Sequence, residues 1–363
     1  MVKRKTKVFV VLIVLIAIIA GAILLFSGLK DFDLSNAKVT NVSFTSGNNT
    51  LQGSLVLPKN VTSPPIALIV HGDGAQTRFE NSNYLPLVNS LLKDGIGVFS
   101  WDKPGVGQST GAWLQQSMSD RSDEVRAAYN KIHSLPALKN SPIGFLGFSQ
   151  AGWVLPITDN EMKPAFTVIV GGAVSWRHQG AYFTKRQLED QGLSPTQVSQ
   201  QVAENLKEND ATFANPDAPN PGLRPKMNPD RFDFVARNYD SDATPYLGSM
   251  QGPVLALWGA DDKNVDPLYN QAIYNQKLHP DQEQVTAIIK HATHGLLKSQ
   301  WFNYQLPSEW PLWRKGLFIL MGRDAYAPRA LDTIGMWINQ VTQEEAQSKT
   351  VASTTSAPQD TKQ

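Results

Sequence analysis

Six short, uninterrupted apolar runs limit the folds that this chain can adopt. They are residues 66–70, 97–101, 143–146, 166–170, 254–258 and 285–289. Runs without polar alternation are typical of strands buried on both faces, as in a parallel sheet covered by helices. Residues at helical spacing separate several of the runs, for instance Val125, Ala128 and Ile132. The repeated order of strand, helix and strand therefore predicts an α/β fold with a mostly parallel, doubly wound sheet.

An N-terminal segment has a different pattern. Val42 and Phe44, and then Leu51, Leu55 and Leu57, alternate with polar residues on either side of a Ser-Gly-Asn-Asn turn. Alternation with a period of two around such a turn predicts an antiparallel hairpin that precedes the parallel strands.

A long insertion separates the fourth and fifth apolar runs. Residues 176–250 hold no apolar run of this kind, and they are predicted to form a helical cap. Within them, Ser194-Pro195-Thr196-Gln197 has the form of a capping box with proline at the first helical position. Residues 38–342 are predicted to form one domain that includes this cap, and the polar residues 343–363 are predicted to be a disordered tail.

Composition excludes several classes of function. The chain has 363 residues, 41% of them hydrophobic, which is enough for a large core. Lys and Arg number 33 against 32 Asp and Glu, and the first thirty residues hold several basic residues and no acid. The remainder is therefore slightly acidic, which gives no reason to expect a nucleic-acid partner. The chain has no cysteine, so it has no disulfides and no cysteine-ligated zinc.

The N-terminus has the pattern of a membrane anchor. Residues 1–7 are basic and are predicted to stay in the cytoplasm, and residues 8–26 carry no charge and nearly match the ~20 residues that cross a bilayer as a helix. This pattern predicts a single-pass signal anchor in the cell membrane, followed by a linker at 27–37 and an extracytoplasmic domain. The alternative is a cleaved signal peptide and a secreted protein, since Ala20-Gly21-Ala22 resembles a cleavage site.

Ser149 has the sequence context of a nucleophile. The apolar run at 143–146 leads into Gly147-Phe148-Ser149-Gln150-Ala151-Gly152. A tight turn between a strand and a helix lifts a serine clear of the sheet, where a histidine can remove its proton. The usual signature is G-x-S-x-G, and here Ala151 stands at the fifth place with glycine one residue later.

Such a serine needs hydrogen-bond donors for the negative charge that develops on the attacked carbonyl. The run at 66–70 continues into His71-Gly72-Asp73-Gly74. We predict that the backbone N–H groups of Asp73 and Gln150 form the oxyanion hole. Taken alone, the glycine-containing segment also fits an ordinary turn.

The same chemistry needs a base and an acid that orients it, in the chain order Ser, Asp, His. The run at 254–258 is followed by Asp261, Asp262 and Asp266, any of which is a chemically suitable acid. The last run leads into a loop with His291 and His294. We favour His294 as the base because the following glycine lets the loop fold back over the serine. No histidine pair has the spacing of a zinc protease, and neither a metal nor a cofactor is expected.

Together these motifs resemble the α/β-hydrolase superfamily over about residues 39–341. The segment that begins at Asp102 is similar to the D-x-x-G-x-G-x-S loop of that family, and His294-Gly295 is similar to its terminal histidine loop. Gly259, Asp262 and Val265 match its G-x-x-D-x-x-V pattern, and the resemblance thereby implies that Asp262 is the acid. The most similar branches are the single-domain esterases and the domains related to prolyl oligopeptidase and dienelactone hydrolase.

The resemblance implies a serine hydrolase that forms an acyl-enzyme, and the expected function is a carboxylesterase acting on a small or medium acyl ester. A peptidase of the proline-iminopeptidase type is the main alternative, so the small-molecule substrate is an ester or an amide. For that alternative, Glu189 with Asp190, or Glu204 with Glu208, would bind a free amine. A non-catalytic binding protein on the same scaffold is the third possibility. The aromatic residues of the cap and of 299–313 either line an acyl pocket or belong to the core.

Overall fold

A computed structural model describes residues 19, 21, 25–213, 215, 219, 220, 222, 227–280 and 283–355, with side chains up to residue 344. In this part of the chain, eight strands form one sheet in the order β1-β2-β4-β3-β5-β6-β7-β8. The strands are β1 (Ala37–Ser46), β2 (Asn49–Pro58), β3 (Ile66–Val70), β4 (Gly97–Trp101), β5 (Ile143–Phe148), β6 (Thr167–Val170), β7 (Val254–Gly259) and β8 (Gln284–Ile289).

The pairing of the strands confirms the predicted sheet. β1 pairs antiparallel with β2, and β2 pairs antiparallel with β4. All pairings among β3 to β8 are parallel. Each of the six apolar runs became a parallel strand, and the predicted hairpin precedes them. The α/β-hydrolase fold that the resemblance implied is therefore correct for the described residues.

Helices cover both faces of this sheet. In the described residues they are α1 (Leu85–Lys93), α2 (Met118–His133), α3 (Ala151–Met162), α4 (Trp176–Asp190), α5 (Pro195–Phe213), α6 (Pro229–Asn238), α7 (Thr244–Leu247), α8 (Pro267–Lys277), α9 (Ser299–Phe302), α10 (Leu312–Met321) and α11 (Ala330–Thr355). Single 3₁₀ turns occur at Trp113–Gln115, Pro136–Leu138, Pro307–Glu309 and Gly322–Ala325.

The core lies in two layers because alternate residues of each strand point to opposite faces. Along β3, Ile66, Leu68 and Val70 pack into the layer under α2 and α3, whereas Ala67 and Ile69 pack into the layer under α1 and α11. All five β3 residues are buried, as the unbroken apolar run predicts. The carboxyl ends of the parallel strands meet at one edge, and all the predicted site residues follow these ends.

Helices α4 to α7 lie within the predicted cap. The capping box at the start of α5 is confirmed, since the Gln197 N–H donates to Ser194 Oγ and the Ser194 N–H donates to Gln197 Oε1 at 3.0 Å. Trp176 of α4 stacks on Trp153 of α3, with ring centroids 4.9 Å apart. This contact joins the cap to the helix that follows Ser149.

The predicted N-terminal anchor lies mostly outside the described residues. Residues 1–7 and most of 8–26 are not among them. No helix in the part that the structure describes has the length and apolarity needed to span a membrane. The predicted linker, 27–37, begins in a helical stretch and packs on the domain, because Asp31 accepts hydrogen bonds from the backbone N–H and Nε of Arg323, both at 2.7 Å.

The C-terminal segment differs from the predicted disordered tail. Helix α11 continues to Thr355, and only residues 356–363 of the predicted tail lie outside the described residues. Residues 343–355 contain no proline or glycine and several good helix formers, so the helix can extend past its last buried turn. The backbone of 343–355 is therefore described as part of α11.

Candidate active site

Ser149 lies in the tight turn between β5 and α3. Its φ of +52° falls in the left-handed region, which side chains other than glycine adopt at a cost of about 1–3 kcal/mol. The turn is held because the Ser149 N–H donates to the Val170 carbonyl at 2.8 Å and the Gly152 N–H donates to the Ser149 carbonyl at 2.8 Å. This strained turn is the local geometry that the sequence predicted for a nucleophile.

The alanine at the fifth place of the signature fits this turn. Ala151 is fully buried, so its methyl group is accommodated in the turn. The backbone of Gly172 instead packs closely on Gly152, where an added Cβ would lie 2.7 Å from the Gly172 Cα. Glycine is therefore required at residue 152 rather than at residue 151.

His294 and the buried Asp262 form a hydrogen-bonded pair on the loops after β8 and β7. His294 Nδ1 lies 2.8 Å from Asp262 Oδ2, and the Asp262 side chain has no exposed surface. Asp262 Oδ1 accepts the backbone N–H groups of Asn264 at 2.7 Å and Val265 at 2.9 Å. Because Nδ1 is occupied, Nε2 is the imidazole nitrogen left to exchange a proton with a substrate or a serine.

The structure separates the three candidate acids. Asp261 Oδ2 accepts a hydrogen bond from Ser299 Oγ at 2.6 Å, and Asp266 caps α8 through the N–H groups of Leu268 and Tyr269. Only Asp262 contacts His294. The structure also explains the glycine of the G-x-x-D-x-x-V pattern, since a Cβ on Gly259 would lie 2.2 Å from the Thr293 carbonyl oxygen. His291, the other candidate base, is exposed.

The pKa of His294 reflects two opposing effects. Burial works to lower this pKa, but the charge of Asp262 and its hydrogen bond outweigh burial and raise it above the ordinary value for histidine. The carboxylate thus stabilises the imidazolium that forms when His294 accepts a proton.

Ser149 and His294 pack against the same turn. Val170 binds the Ser149 N–H, and the next residue, Gly171, lies so close to the imidazole that a Cβ there would be 2.8 Å from His294 Cε1. Gly171 has φ +62°, which glycine adopts without strain. The end of β6 therefore positions the serine and the histidine together.

The two residues whose amides are predicted to form the oxyanion hole are in side-chain contact. Gln150 Nε2 donates to Asp73 Oδ1 at 3.4 Å, which joins the turn after β5 to the loop after β3. Gly72 packs against Ser149, since a Cβ on it would lie 3.2 Å from Ser149 Cβ. The Asp73 carboxylate forms two hydrogen bonds with Arg231 of the cap helix α6, at 2.8 and 2.6 Å. These contacts bring both segments and the cap to the edge of the site.

His71 belongs to the supporting structure of this loop. Its Nε2 lies 2.6 Å from the Trp101 carbonyl. Burial, with the nearby Lys103 charge, lowers the pKa of His71 to about 3. The ring is therefore neutral at physiological pH and packs between Tyr84 and Trp101.

Several contributors to the site carry no clear signal in the sequence. Lys103 lies inside the D-x-x-G-x-G-x-S motif, which marks its loop but not its role. Arg121 and Arg231 lie on helices at positions that resemble ordinary surface charges. Tyr182 of α4 donates its hydroxyl to the Asp262 carbonyl at 2.8 Å, which places the cap over the acid. Only the three-dimensional fold brings these residues to the loops that surround Ser149.

Several aromatic residues of the cap and of residues 299–313 belong to packed clusters. Trp310 packs on Phe302 and Phe318, with ring centroids 5.0 and 5.8 Å apart, and Trp176 joins the core through Trp153. A cavity of about 850 Å³ lies near Asp31 and Arg323, and no predicted site residue lines it. In the described part of the chain, no cluster of His, Asp and Glu has the arrangement of a metal site.

Comparisons with known proteins agree with this geometry. The family model described as serine aminopeptidase, S33 matches residues 65–300, which include every predicted site residue. Comparison with curated protein sequences gives no match.

Solved structures share the fold. An esterase from Pyrococcus furiosus is 18% identical, with a TM-score of 0.52 over 80% of this chain and 92% of that one. A proline iminopeptidase from Mycobacterium smegmatis is 14% identical, with a TM-score of 0.51 over 84% of this chain and 100% of that one. A bacterial membrane phospholipase A is 15% identical, with a TM-score of 0.51 over 93% and 99%.

Proposed function

The chain belongs to the serine aminopeptidase S33 family of α/β-hydrolases, and from that premise we propose that it is a carboxylesterase with Ser149, His294 and Asp262 as its catalytic triad. The observation that carries the proposal is the contact of 2.8 Å between His294 Nδ1 and the buried Asp262 Oδ2, beside a serine held in a strained turn. This arrangement can activate a serine hydroxyl and stabilise the imidazolium that results.

The proposed reaction has two steps. Ser149 Oγ attacks the ester carbonyl carbon while His294 Nε2 takes the hydroxyl proton, and the carbonyl electron pair moves to the oxygen held by the amides of Asp73 and Gln150. Collapse of this tetrahedral species breaks the ester C–O bond, and His294 returns the proton to the departing alcohol. Water then attacks the acyl-enzyme by the same route and releases the acid.

An ester is favoured over a peptide with a free amino terminus because the carboxylates predicted for an amine already have partners. Glu189 accepts a hydrogen bond from Arg186 at 2.5 Å, and Asp190 binds Lys263 Nζ at 2.6 Å. Glu204 accepts a hydrogen bond from Gln200 at 3.1 Å. An aminopeptidase needs a carboxylate that is available to the ammonium group of its substrate, and these pairs compete for that role.

Covalent labelling with a fluorophosphonate tests the nucleophile. We expect the wild type and Ser141→Ala to be labelled, because Ser141 precedes β5 at the opposite edge of the sheet. Ser149→Ala should not be labelled, and its turnover should fall by about 10⁴-fold or more. Absence of labelling in the wild type would instead indicate a binding protein.

A substrate comparison tests the class of bond. We expect short-chain p-nitrophenyl esters to be hydrolysed with a higher kcat/KM than aminoacyl anilides. If only the anilides react, the protein is a peptidase and the carboxylesterase proposal is wrong. We separately propose that residues 8–26 attach the protein to the membrane. Fractionation of cells that express the full chain tests this, and the protein should be found in the membrane fraction.

A further inference from the structure

We propose that Lys103 is a positioning residue for the oxyanion hole: it holds the Gly72 carbonyl so that the N–H of the same peptide, that of Asp73, faces the reacting carbonyl oxygen. This inference rests on the proposed function, and it assigns a role to a residue that touches neither the triad nor the substrate.

The first observation is the burial of two cationic side chains behind the loop after β3. Lys103 is 2% exposed and Arg121 is 5% exposed. Among the described residues, no carboxylate lies within ion-pair distance of Lys103. A buried amine without a carboxylate partner is costly unless its N–H groups are well satisfied. The hydrogen bonds that Lys103 donates are therefore needed to offset the cost of burying its amine.

Those contacts fall on the predicted oxyanion loop. Lys103 Nζ donates to the Gly72 carbonyl at 2.5 Å and to the Gly74 carbonyl at 3.0 Å, and it lies 5.1 Å from the centre of the Trp113 ring. Burial lowers the pKa of Lys103 well below its ordinary value. A neutral amine still has two N–H donors, so both hydrogen bonds persist in either protonation state.

Peptide geometry converts these contacts into an orientation of the Asp73 amide. The described residues contain no cis peptide bond, and in a trans peptide the C=O and N–H vectors point in opposite directions. Lys103 draws the Gly72 carbonyl to one side, so the Asp73 N–H points to the other. Gly72 itself packs against Ser149. The oriented N–H therefore belongs to the peptide next to the nucleophile.

Arg121 supports the same arrangement from both segments. Its guanidinium donates to the His71 carbonyl on the loop after β3 and to Gln150 Oε1, at 2.6 Å, in the turn after β5. One side chain thus links the two segments that supply the predicted oxyanion amides. The charged groups around Lys103 are Arg121, Asp73, Glu124 and Arg231, and the two acids have other partners: Asp73 binds Arg231, and Glu124 binds Trp101 and Gln116.

The test compares two ketones that differ only in whether they form a tetrahedral adduct. A trifluoromethyl ketone adds to the serine hydroxyl and places an oxyanion in the hole, whereas the corresponding methyl ketone binds without addition. We expect Lys103→Met to weaken binding of the trifluoromethyl ketone, and to lower kcat, by about 10²-fold, as loss of one oxyanion donor does. Binding of the methyl ketone and KM should change by less than about threefold, because both report ground-state binding and not stabilisation of the transition state.

Two control variants, Lys59→Met and Ser149→Ala, separate the outcomes. Lys59→Met removes an exposed lysine that also donates to a backbone carbonyl, that of Ser35, and it should leave both affinities unchanged. Ser149→Ala should form no adduct with the trifluoromethyl ketone. If the wild type forms none either, the proposed function is wrong, and this inference fails with it. An adduct in the wild type, together with equal effects of Lys103→Met on both ketones, would overturn this inference alone.

A second variant carries the test if Lys103→Met does not fold. Lys103→Arg keeps the positive charge and the donors but changes the distance from the side chain to the Gly72 carbonyl. We expect a folded protein whose affinity for the trifluoromethyl ketone falls by about tenfold while its affinity for the methyl ketone is retained, since a misplacement of about 1 Å weakens catalytic contacts. Parallel loss of both affinities would show a structural role only.

Discussion

On one side of Ser149, the loops after β7 and β8 press a buried carboxylate directly against an imidazole, and the backbone turn at Gly171 limits where that ring can lie. On the other side, the loops after β3 and β5 offer backbone amides, and the side chains there hold carbonyl oxygens. We call these the histidine side, with Asp262, His294 and Gly171, and the amide side, with residues 71–74, Gln150, Lys103 and Arg121.

The two sides differ in how charge is used. On the histidine side, the negative charge of Asp262 raises the pKa of His294 against the effect of burial. A change on this side therefore alters the pKa of His294. On the amide side, the groups proposed to bind the substrate oxygen are uncharged peptides, so a change there leaves the Asp262–His294 contact and the pKa of His294 as they are. Variants of the histidine side should therefore shift the pH profile, and variants of the amide side should lower the rate at every pH.

Among the variants that distinguish the two sides, the largest effect is expected for Asp262→Asn. The amide cannot hold His294 in the same tautomer, so kcat should fall by about 10³- to 10⁴-fold. Loss of the carboxylate also lowers the pKa of His294, which must be neutral to act as a base. The acidic limb of kcat/KM should therefore move to lower pH. Initial rates with a p-nitrophenyl ester between pH 4 and 9 measure both changes.

Asp261→Asn is the matched control for this prediction. It loses only the hydrogen bond from Ser299 and should keep kcat within about threefold, since its side chain does not contact His294. A larger loss in Asp261→Asn than in Asp262→Asn would assign the acid to Asp261.

The histidine side was largely predictable from the sequence, and the reason is that side chains carry its chemistry. Serine, aspartate and histidine must follow strand ends in a fixed order, and Ser149, Asp262 and His294 do so. Residues alone left Asp261, Asp262 and Asp266 as chemically suitable acids. The family pattern favoured Asp262, and the structure agrees because only Asp262 is within hydrogen-bond distance of the imidazole.

The amide side was predictable only in part. The segment 71–74 could be assigned by its position after β3, but an amide has no residue identity, so the sequence does not show what orients it. Arg121 lies 50 residues from the carbonyl that it binds. Buried cations that hold backbone carbonyls follow from tertiary packing and leave no periodic or local pattern. The polar segment 343–355 shows a related limit, since polarity by itself does not distinguish a helix from disorder.

Gly171→Ala should give the second-largest effect. The new Cβ would lie 2.8 Å from His294 Cε1 and 2.9 Å from Nδ1, and alanine is strained at φ +62°. The ring must move away from Asp262 or from Ser149, so we expect kcat to fall by about 10²-fold. The pH profile should shift as well, because the Asp262 contact is disturbed.

Gly180→Ala in α4 is the control, since nothing lies within 4 Å of its added Cβ. If the acidic limb of kcat/KM, which reports the pKa of His294, is the same in Gly171→Ala as in the wild type, the assignment of Gly171 to the histidine side is wrong.

Gly72→Ala makes the corresponding change on the amide side. Its Cβ would lie 3.2 Å from Ser149 Cβ and 3.3 Å from the Phe148 carbonyl, which is tight but can be relieved by a shift of a few tenths of an ångström. We expect a loss of about tenfold in kcat, smaller than for Gly171→Ala, because the oxyanion donors move only slightly. The acidic limb should stay where it is in the wild type. A shift of that limb would show that the two sides are not independent.

The smallest effect concerns the ion pair between Asp73 and Arg231, which joins the amide side to the cap. Both side chains are partly exposed, at 44% and 34%, so the pair is worth at most about 1 kcal/mol. Arg231→Met removes the ion-pair partner of the Asp73 carboxylate, which lies beside the amide proposed to bind the oxyanion, and like charges repel. We expect kcat/KM to fall about threefold to fivefold, since 1 kcal/mol corresponds to about fivefold, with no shift of the acidic limb.

Asp73→Asn in the Arg231→Met background separates charge from cap attachment. This substitution keeps the Asp73 backbone N–H and removes the unpaired charge, so kcat/KM should return to within about twofold of the wild type if repulsion caused the loss. If the double variant stays as slow as Arg231→Met, the arginine acts by holding α6 over the site, and the cap then contributes to the geometry of the amide side rather than to its charge.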